Sequence, residues 1–335
     1  MQPIFMIGMQ RSGSNLLRLM LNQLSEIVSP HPPHILHRIY PLQEHYGDLS
    51  DERNFNLLTD DVCRLVELNP VPWEKVELDR DDVKSRCREN SLVALFGAVY
   101  DICAEAQQAQ TWCCKSLANI RYVDEIERYY DAPKYIFLYR DGRDVALSFR
   151  KAVVGEKHFY NIAKGWMHVQ ETGLALRDKI GPKRLCSVSY EELTGEPEET
   201  AKRLCEFLGV DYAEGMLEFH RSDEAKRAAG SSDLWGKLTQ PVMKNNTRKF
   251  LREASEHDIR IFESVAGDVL ERLGYDRVYV PSGEELALSD LEIKAFNEEN
   301  ERLKQELMSR VDKEDLERRD RQAGLLSEIK SRPRA

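Results

Sequence analysis

Along the chain, unbroken apolar runs alternate with stretches whose apolar residues recur every three or four positions. IFMIGMQRSGSNLLRLML, residues 4–21, begins as an apolar strand, turns at two glycines and leaves as an apolar helix. PKYIFLYR (133–140) and KRLCSVSYEEL (183–193) read as two further strands, each followed by a helical pattern. Residues 86–110 and 198–208 carry the three- and four-residue spacing of amphipathic helices. Strands alternating with helices predict an α/β fold, a central parallel sheet covered by helices in three layers, with a P-loop-like first turn. Residues 30–60 hold Pro30, Pro32, Pro33 and Pro41 among several histidines without a clean period, which predicts a loop and short helices beside the first helix.

After Pro281 the pattern changes, dividing the chain into a domain over 1–280 and a charged helical extension over 281–335. Ile293, Phe296, Asn300, Leu303 and Leu307 follow a 3-4-3-4 spacing with one polar seam position. Two readings stay open: a short coiled coil, giving a homodimer through the C-terminal helix, or a helix docked on its own domain.

Composition narrows the ligands. With 335 residues and a formal net charge of −10, the chain can build a sizeable core and is no general binder of nucleic acid or other polyanions, although a local basic pocket for a small anion is compatible with an acidic whole. The seven cysteines are odd in number, scattered and without a C-x-x-C pair, so they read as buried free thiols. Neither a signal-peptide pattern nor a run of 18 apolar residues is present, and the expectation is a cytoplasmic protein with no membrane span.

The first turn departs from the phosphate-loop pattern G-x-x-x-x-G-K-[ST] in an informative way. Gly8 and Gly13 have the right spacing, but Ser14 stands where the lysine belongs and Asn15 where the magnesium-binding hydroxyl belongs. Backbone N–H groups at the helix start can still cradle one phosphate, with Ser12, Ser14 and Asn15 as neutral donors and Arg11 facing the group beyond it. In YIFLYRDGRDVALSF (135–149), Arg140 closes a strand and Ser148 follows within the next helix. Ligands of open α/β sheets bind at the carboxyl edge, so Arg140 and Ser148 are candidates for a second phosphate of the same ligand. The plainer alternative is that Arg140, Asp141, Arg143 and Asp144 pair with one another.

Taken together, GMQRSGSNLL and YIFLYRDGRDVALSF resemble the 5′-phosphosulfate loop and the 3′-phosphate motif of sulfotransferases that use 3′-phosphoadenosine 5′-phosphosulfate (PAPS). CKSLANIRYVDEI (114–126) resembles their central strand and lysine turn, and the resemblance runs on through SYEELTGEPEETAKRLCEFLGV (189–210) to about residue 277. It implies PAPS as co-substrate, 3′-phosphoadenosine 5′-phosphate (PAP) as product, a hydroxyl-bearing acceptor and no metal, with Arg11 neutralising the bridging oxygen in place of a cation. It also implies that Lys115 holds the sulfuryl oxygens and Tyr190 stacks on adenine. A basic loop at 241–251, carrying Lys244, Arg248 and Lys249, would close over the 3′-phosphate, with the contacting residue left open.

One element of the family pattern is missing. Many cytosolic members carry a histidine base two residues after the lysine, whereas Lys115 is followed by Ser116 and Leu117. Tyrosylprotein sulfotransferases share the R-S-G loop and place a glutamate about twenty residues after the arginine, where this chain has SPHPPHILHRI. His34, or failing that His31, is therefore the candidate base, with His37 nearby and His158 a more distant option. The acidic chain and the aromatic and proline residues of 30–60 favour a small or lipid-like alcohol or phenol as acceptor. Two other classes fit the loop less well: a P-loop kinase, which lacks its lysine and magnesium aspartate here, and a non-catalytic scaffold using the C-terminal helix.

Overall fold

The computed structural model describes residues 1–231, 233–244, 246–310 and 313–334. Five parallel strands form one sheet in the order β2-β3-β1-β4-β5: β1 (Ile4–Gly8), β2 (Ile27–Val28), β3 (Thr111–Cys114), β4 (Lys134–Tyr139) and β5 (Leu185–Ser189). The central strand β1 pairs Ile4 with Cys113 on one side and runs in register with β4 from Ile4–Lys134 to Gly8–Leu138 on the other. Gly8 is required there, because a Cβ would stand 2.1 Å from the Leu138 carbonyl oxygen.

The helices that matter for the site are α1 (Ser14–Leu21), α2 (Ile35–Ile39), α3 (Glu52–Glu67), α4 (Leu92–Ala106), α5 (Gly142–Lys151), α6 (Phe159–Ile180), α7 (Pro197–Leu208), α8 (Glu256–Arg272), α9 (Asp290–Met308) and α10 (Lys313–Ser331). Alternation along each strand builds two cores. Ile4, Met6, Ile136 and Leu138 pack with α1 and α7, while Phe5, Ile7, Tyr135 and Phe137 pack with α2, α3, α4, α6 and α8. The three-layer α/β architecture expected from the sequence is the one observed.

Local boundaries differ from the periodicity in ways the caps explain. The helix read over 86–110 is confined to α4, because Ser91 accepts from the Ala94 N–H and starts it late. Residues 30–60 do hold a loop and short helices, but Asp51 caps the start of the 16-residue α3 at their end. Among the described residues, no helix is long and apolar enough to cross a membrane. Six of the seven cysteines are buried and all are free.

Both C-terminal helices fold back on the domain. Asn300 of α9, the polar seam position, is 2% exposed and accepts from the N–H groups of Lys157 (2.7 Å) and His158 (3.0 Å). Phe296 stacks on His158 with ring centroids 4.5 Å apart. On α10, Leu325 and Ile329 join the larger core, and the Gln322 amide donates to the Leu65 carbonyl at 2.7 Å. Of the two readings of the seam, the contacts seen are those of a helix docked on its own chain.

Candidate active site

Every strand delivers a site element at its carboxyl end. β1 leads into the loop 9–13, β2 into Ser29 and the histidine segment, β3 into Lys115, β4 into Arg140 and β5 into Tyr190. The strand order places β1, the turning point of the sheet, between β3 and β4, so loop, lysine and arginine converge where open α/β sheets bind ligands.

The loop is shaped for an anion. Gly13 has φ 88°, and a Cβ on it would lie 2.6 Å from the Tyr190 ring. No side chain caps α1, which leaves its first N–H groups available. Arg11, at φ 71°, adopts a left-handed conformation that costs a non-glycine residue energy. Its Nε donates to Ser148 Oγ at 2.8 Å, joining the two anion elements directly. Arg140 donates to the Arg11 carbonyl (3.1 Å) and the Asn246 carbonyl (2.6 Å), lies 4.2 Å over the Tyr190 ring and pairs with Asp144 at 3.6 Å. Ser12 Oγ and Arg140 Nε are buried without a hydrogen-bond partner among the described residues, a pair of unused donors that suits two phosphates.

Several expectations are refined here. Tyr190, which the resemblance sets against adenine, is 6% exposed, carries Arg140 on its ring and accepts from the Asn246 amide at 2.7 Å, so the contacts seen support the arginine and the late loop. That loop is tied down by Asn246 and by Asp144, which accepts from the Phe250 N–H at 3.0 Å, whereas Lys244 and Arg248 are exposed and Lys249 half-buried. Arg248 shares the left-handed backbone, with φ 53°. Arg143 does pair with Asp141, as the plainer alternative held, but the pair is buried: Glu263 of α8 completes it at 2.6 Å and accepts from the N–H groups of residues 278–280. His158 is not in the site; it caps α6 by accepting from the Tyr160 N–H.

The other half of the cleft is a cavity of about 540 Å³ lined by Arg11, Ser14, Asn15, His31, His34 and Lys115, and closed by α2 and α10. His34 has φ 61°, and its Nδ1 lies 2.9 Å from Ser116 Oγ. Burial, then the charges of Lys115, Arg38 and His37, hold its pKa well below the ordinary histidine value, so it is neutral at pH 7 and has a lone pair to offer. His31 is depressed in the same direction by burial, Lys115 and Arg18, and is engaged by Asn69, 3.3 Å from Nδ1. Lys115 is 7% exposed; burial, followed by Arg18 and Arg11, brings it down to about 7. A second cavity of about 560 Å³ shares Gln10, His37, Leu117, Ala118 and Val154 with the first, which lengthens the cleft.

Reasoning from the sequence missed the parts played by Ser116, Asn69, Asn246 and the α10 residues Gln322, Leu326 and Lys330; it named Asp144 for pairing with its neighbours, as it does with Arg140, but not its bond to Phe250. Ser116 and Asp144 adjoin or belong to quoted motifs; the α10 residues carry no local signal.

A model of the sulfotransferase family matches residues 3–214. The chain is 24% identical over 289 residues to a protein-tyrosine sulfotransferase of Drosophila melanogaster, covering 82% of this chain and 52% of that one, so it spans about half the length of that relative. It is 23% identical over 291 residues to protein-tyrosine sulfotransferase 2 of Gallus gallus, covering 82% of this chain and 70% of that one. Among solved structures, the sulfotransferase domain from the curacin biosynthetic pathway superposes with a TM-score of 0.59 at 20% identity, covering 82% of this chain and 98% of that one. The sulfotransferase domain of the Synechococcus PCC 7002 olefin synthase gives 0.51 at 22% identity, covering 78% and 93%. These two likenesses bear on the fold.

Proposed function

The chain belongs to the sulfotransferase family, and on that premise we propose that it moves the sulfuryl group of PAPS to the hydroxyl of a small-molecule or lipid-like alcohol or phenol, without a metal and with His34 as base. PAPS supplies the sulfuryl group and a leaving phosphate. The N–H groups at the start of α1, with Ser12, Ser14 and Asn15, would hold the 5′-phosphate; Arg140 and Ser148, with the loop 246–250, would hold the 3′-phosphate. As the acceptor oxygen bonds to sulfur and the S–O bond to the 5′-phosphate breaks, Arg11 and protonated Lys115 neutralise the charge that accumulates on the sulfuryl and phosphate oxygens.

His34 takes the acceptor's proton in the same step. In the tautomer this requires, Ser116 Oγ accepts from Nδ1–H, leaving the Nε2 lone pair for the hydroxyl. The single observation that carries the reading is the convergence of Arg11, Lys115 and His34 on one cavity, with Arg11 bonded to Ser148 of the second motif. Measuring PAP affinity and turnover together tests it. His34→Ala should lower kcat by about 10²–10⁴ while leaving PAP affinity nearly unchanged, because proton removal acts in the transition state. A His34→Ala variant that retains more than about a third of kcat would exclude the histidine as base.

A further inference from the structure

In a cleft that transfers a sulfuryl group, the wall opposite the sulfuryl site governs which acceptors fit. Four cationic side chains, Arg11, Arg38, Lys115 and Lys330, line this cavity, and none of the described residues lining it is Asp or Glu. The imbalance stands out in a chain whose formal net charge is −10. Arg11 and Lys115 follow the carboxyl ends of β1 and β3, where the proposed reading sets the sulfuryl group, whereas Arg38 and Lys330 belong to α2 and α10.

Those two cations are treated differently from their neighbours. Around α10, pairing is the rule: Arg332 binds Asp61 and Glu328, Arg64 binds Glu328, and Arg334 binds Glu44. Among the described residues Arg38 and Lys330 have no carboxylate partner; the only side-chain hydrogen bond of Arg38 runs to the neutral Gln322 Oε1 at 2.7 Å. Gln322 is itself fixed by the Leu65 carbonyl, so the Arg38 guanidinium is held in place. Gln322, Leu326 and Lys330 are spaced four apart and share one face of α10, which sets an apolar side chain between the two polar ones. A half-buried guanidinium without a counter-charge costs free energy that an anionic ligand relieves.

Building on the sulfuryl-transfer reading, we infer that the acceptor is an anionic hydroxy compound, whose carboxylate or phosphoryl-type group is gripped by Arg38 and Lys330 while its hydroxyl lies at His34. The specificity-determining part of the site is then α10, which lies outside the segment matched by the family model.

Calorimetric titration of the PAP-loaded full chain with isosteric phenols tests this: 3-(4-hydroxyphenyl)propionate, 4-hydroxybenzylphosphonate, neutral 4-propylphenol and cationic tyramine. At least one of the two acids should bind about tenfold or more tighter than 4-propylphenol, with tyramine the weakest. The ratio between the two acids identifies the anionic group. Lys330→Glu, a change on an exposed side chain that leaves Arg38 in place, should narrow the gap between acid and tyramine at least severalfold. Equal or tighter binding of 4-propylphenol by the parent protein overturns the inference, and so does an undiminished gap between acid and tyramine in Lys330→Glu. PAP binding in the same series reports separately on the sulfuryl-transfer reading; were PAP not to bind, the acid preference would be read on the unloaded protein.

Discussion

Arg140 and Arg38 are both guanidiniums at the edge of one cleft, and they are held on opposite terms. Arg140 is 6% exposed and held by Asp144, the Tyr190 ring and two backbone carbonyls, with only its Nε left without a partner among the described residues. Arg38 has one neutral partner on a helix almost three hundred residues away in sequence. The same contrast separates the two halves of the site. On the candidate phosphate side, Arg140 is paired with Asp144, and contacts between neighbouring strand ends lock the backbone. On the candidate acceptor side, Lys115 is buried and His34 half-buried, both are shifted down, and neither has a carboxylate partner among the described residues. On the proposed reading, the half that binds one fixed nucleotide can be built in advance, whereas the reacting half would keep its electrostatic tension until both substrates are present.

The largest expected effect falls on the tense half. Lys115→Met should lower kcat by about 10²–10³, the loss expected when a charge-stabilising donor is removed. The same change should raise stability by about 0.5–2 kcal/mol, because it replaces a buried, unpaired ammonium with an apolar chain of similar length. Thermal melts beside steady-state rates check both signs; a variant that is less stable and equally active would erase the contrast. On the other half, Arg140→Ala should weaken PAP binding about ten- to a hundredfold, as for loss of charge-assisted bonds, and should also destabilise the fold by leaving the buried Asp144 carboxylate without its cationic partner. Arg140→Lys should not restore affinity, since an ammonium cannot reproduce the planar contacts to two carbonyls and a ring.

Acidity gives a smaller effect with a defined direction. Lys115 titrates at about 7 in the free protein against 10.5 for an ordinary lysine. A phosphosulfate or phosphate favours the charged form, so PAP affinity should be full below about 7 and fall as pH rises through it, by at most about tenfold per unit until the ligand-bound pKa is passed. Stability runs the other way. The depressed folded-state pKa imposes its full cost below about 7, and that cost is removed as pH rises towards 10.5. The Lys115→Met variant should lose both trends. Smallest is Ser116→Ala, which should cost about three- to tenfold in kcat with PAP affinity retained, because the serine only orients the base. Ser116→Thr should recover part of the loss.

Legibility in the sequence follows the same division. The sheet, and the placement of the candidate phosphate residues at its edge, were readable because each residue lies within a few positions of a strand end: the loop after β1, Lys115 after β3, Arg140 after β4. Periodicity marks the strand, and the residue beyond it lies at the edge by geometry. The acceptor half is legible only as far as a cluster of histidines. Which of them meets a hydroxyl partner depends on Ser116, 82 positions from His34, and on a left-handed backbone at His34 that its residue type does not announce. Gln322, Leu326 and Lys330 were invisible because nothing in the heptad-like spacing of 293–307 says that the next helix would return across the cleft. Asn300 shows the limit of such patterns: a polar seam position can serve a partner helix or, as here, cap two N–H groups of its own domain.

The central claim is that Arg11, Ser148 and Arg140 join two phosphate sites into one nucleotide clamp that works without a metal. Titrating the protein with PAP and with adenosine 5′-phosphate in excess EDTA tests it most directly, for parent and Arg140→Ala. The account predicts that PAP binds at least about tenfold more tightly than adenosine 5′-phosphate in the parent, the difference one charge-assisted phosphate contact should make, and that most of this advantage vanishes in the variant. Equal affinities in the parent, or PAP binding that appears only when magnesium is restored, would contradict it.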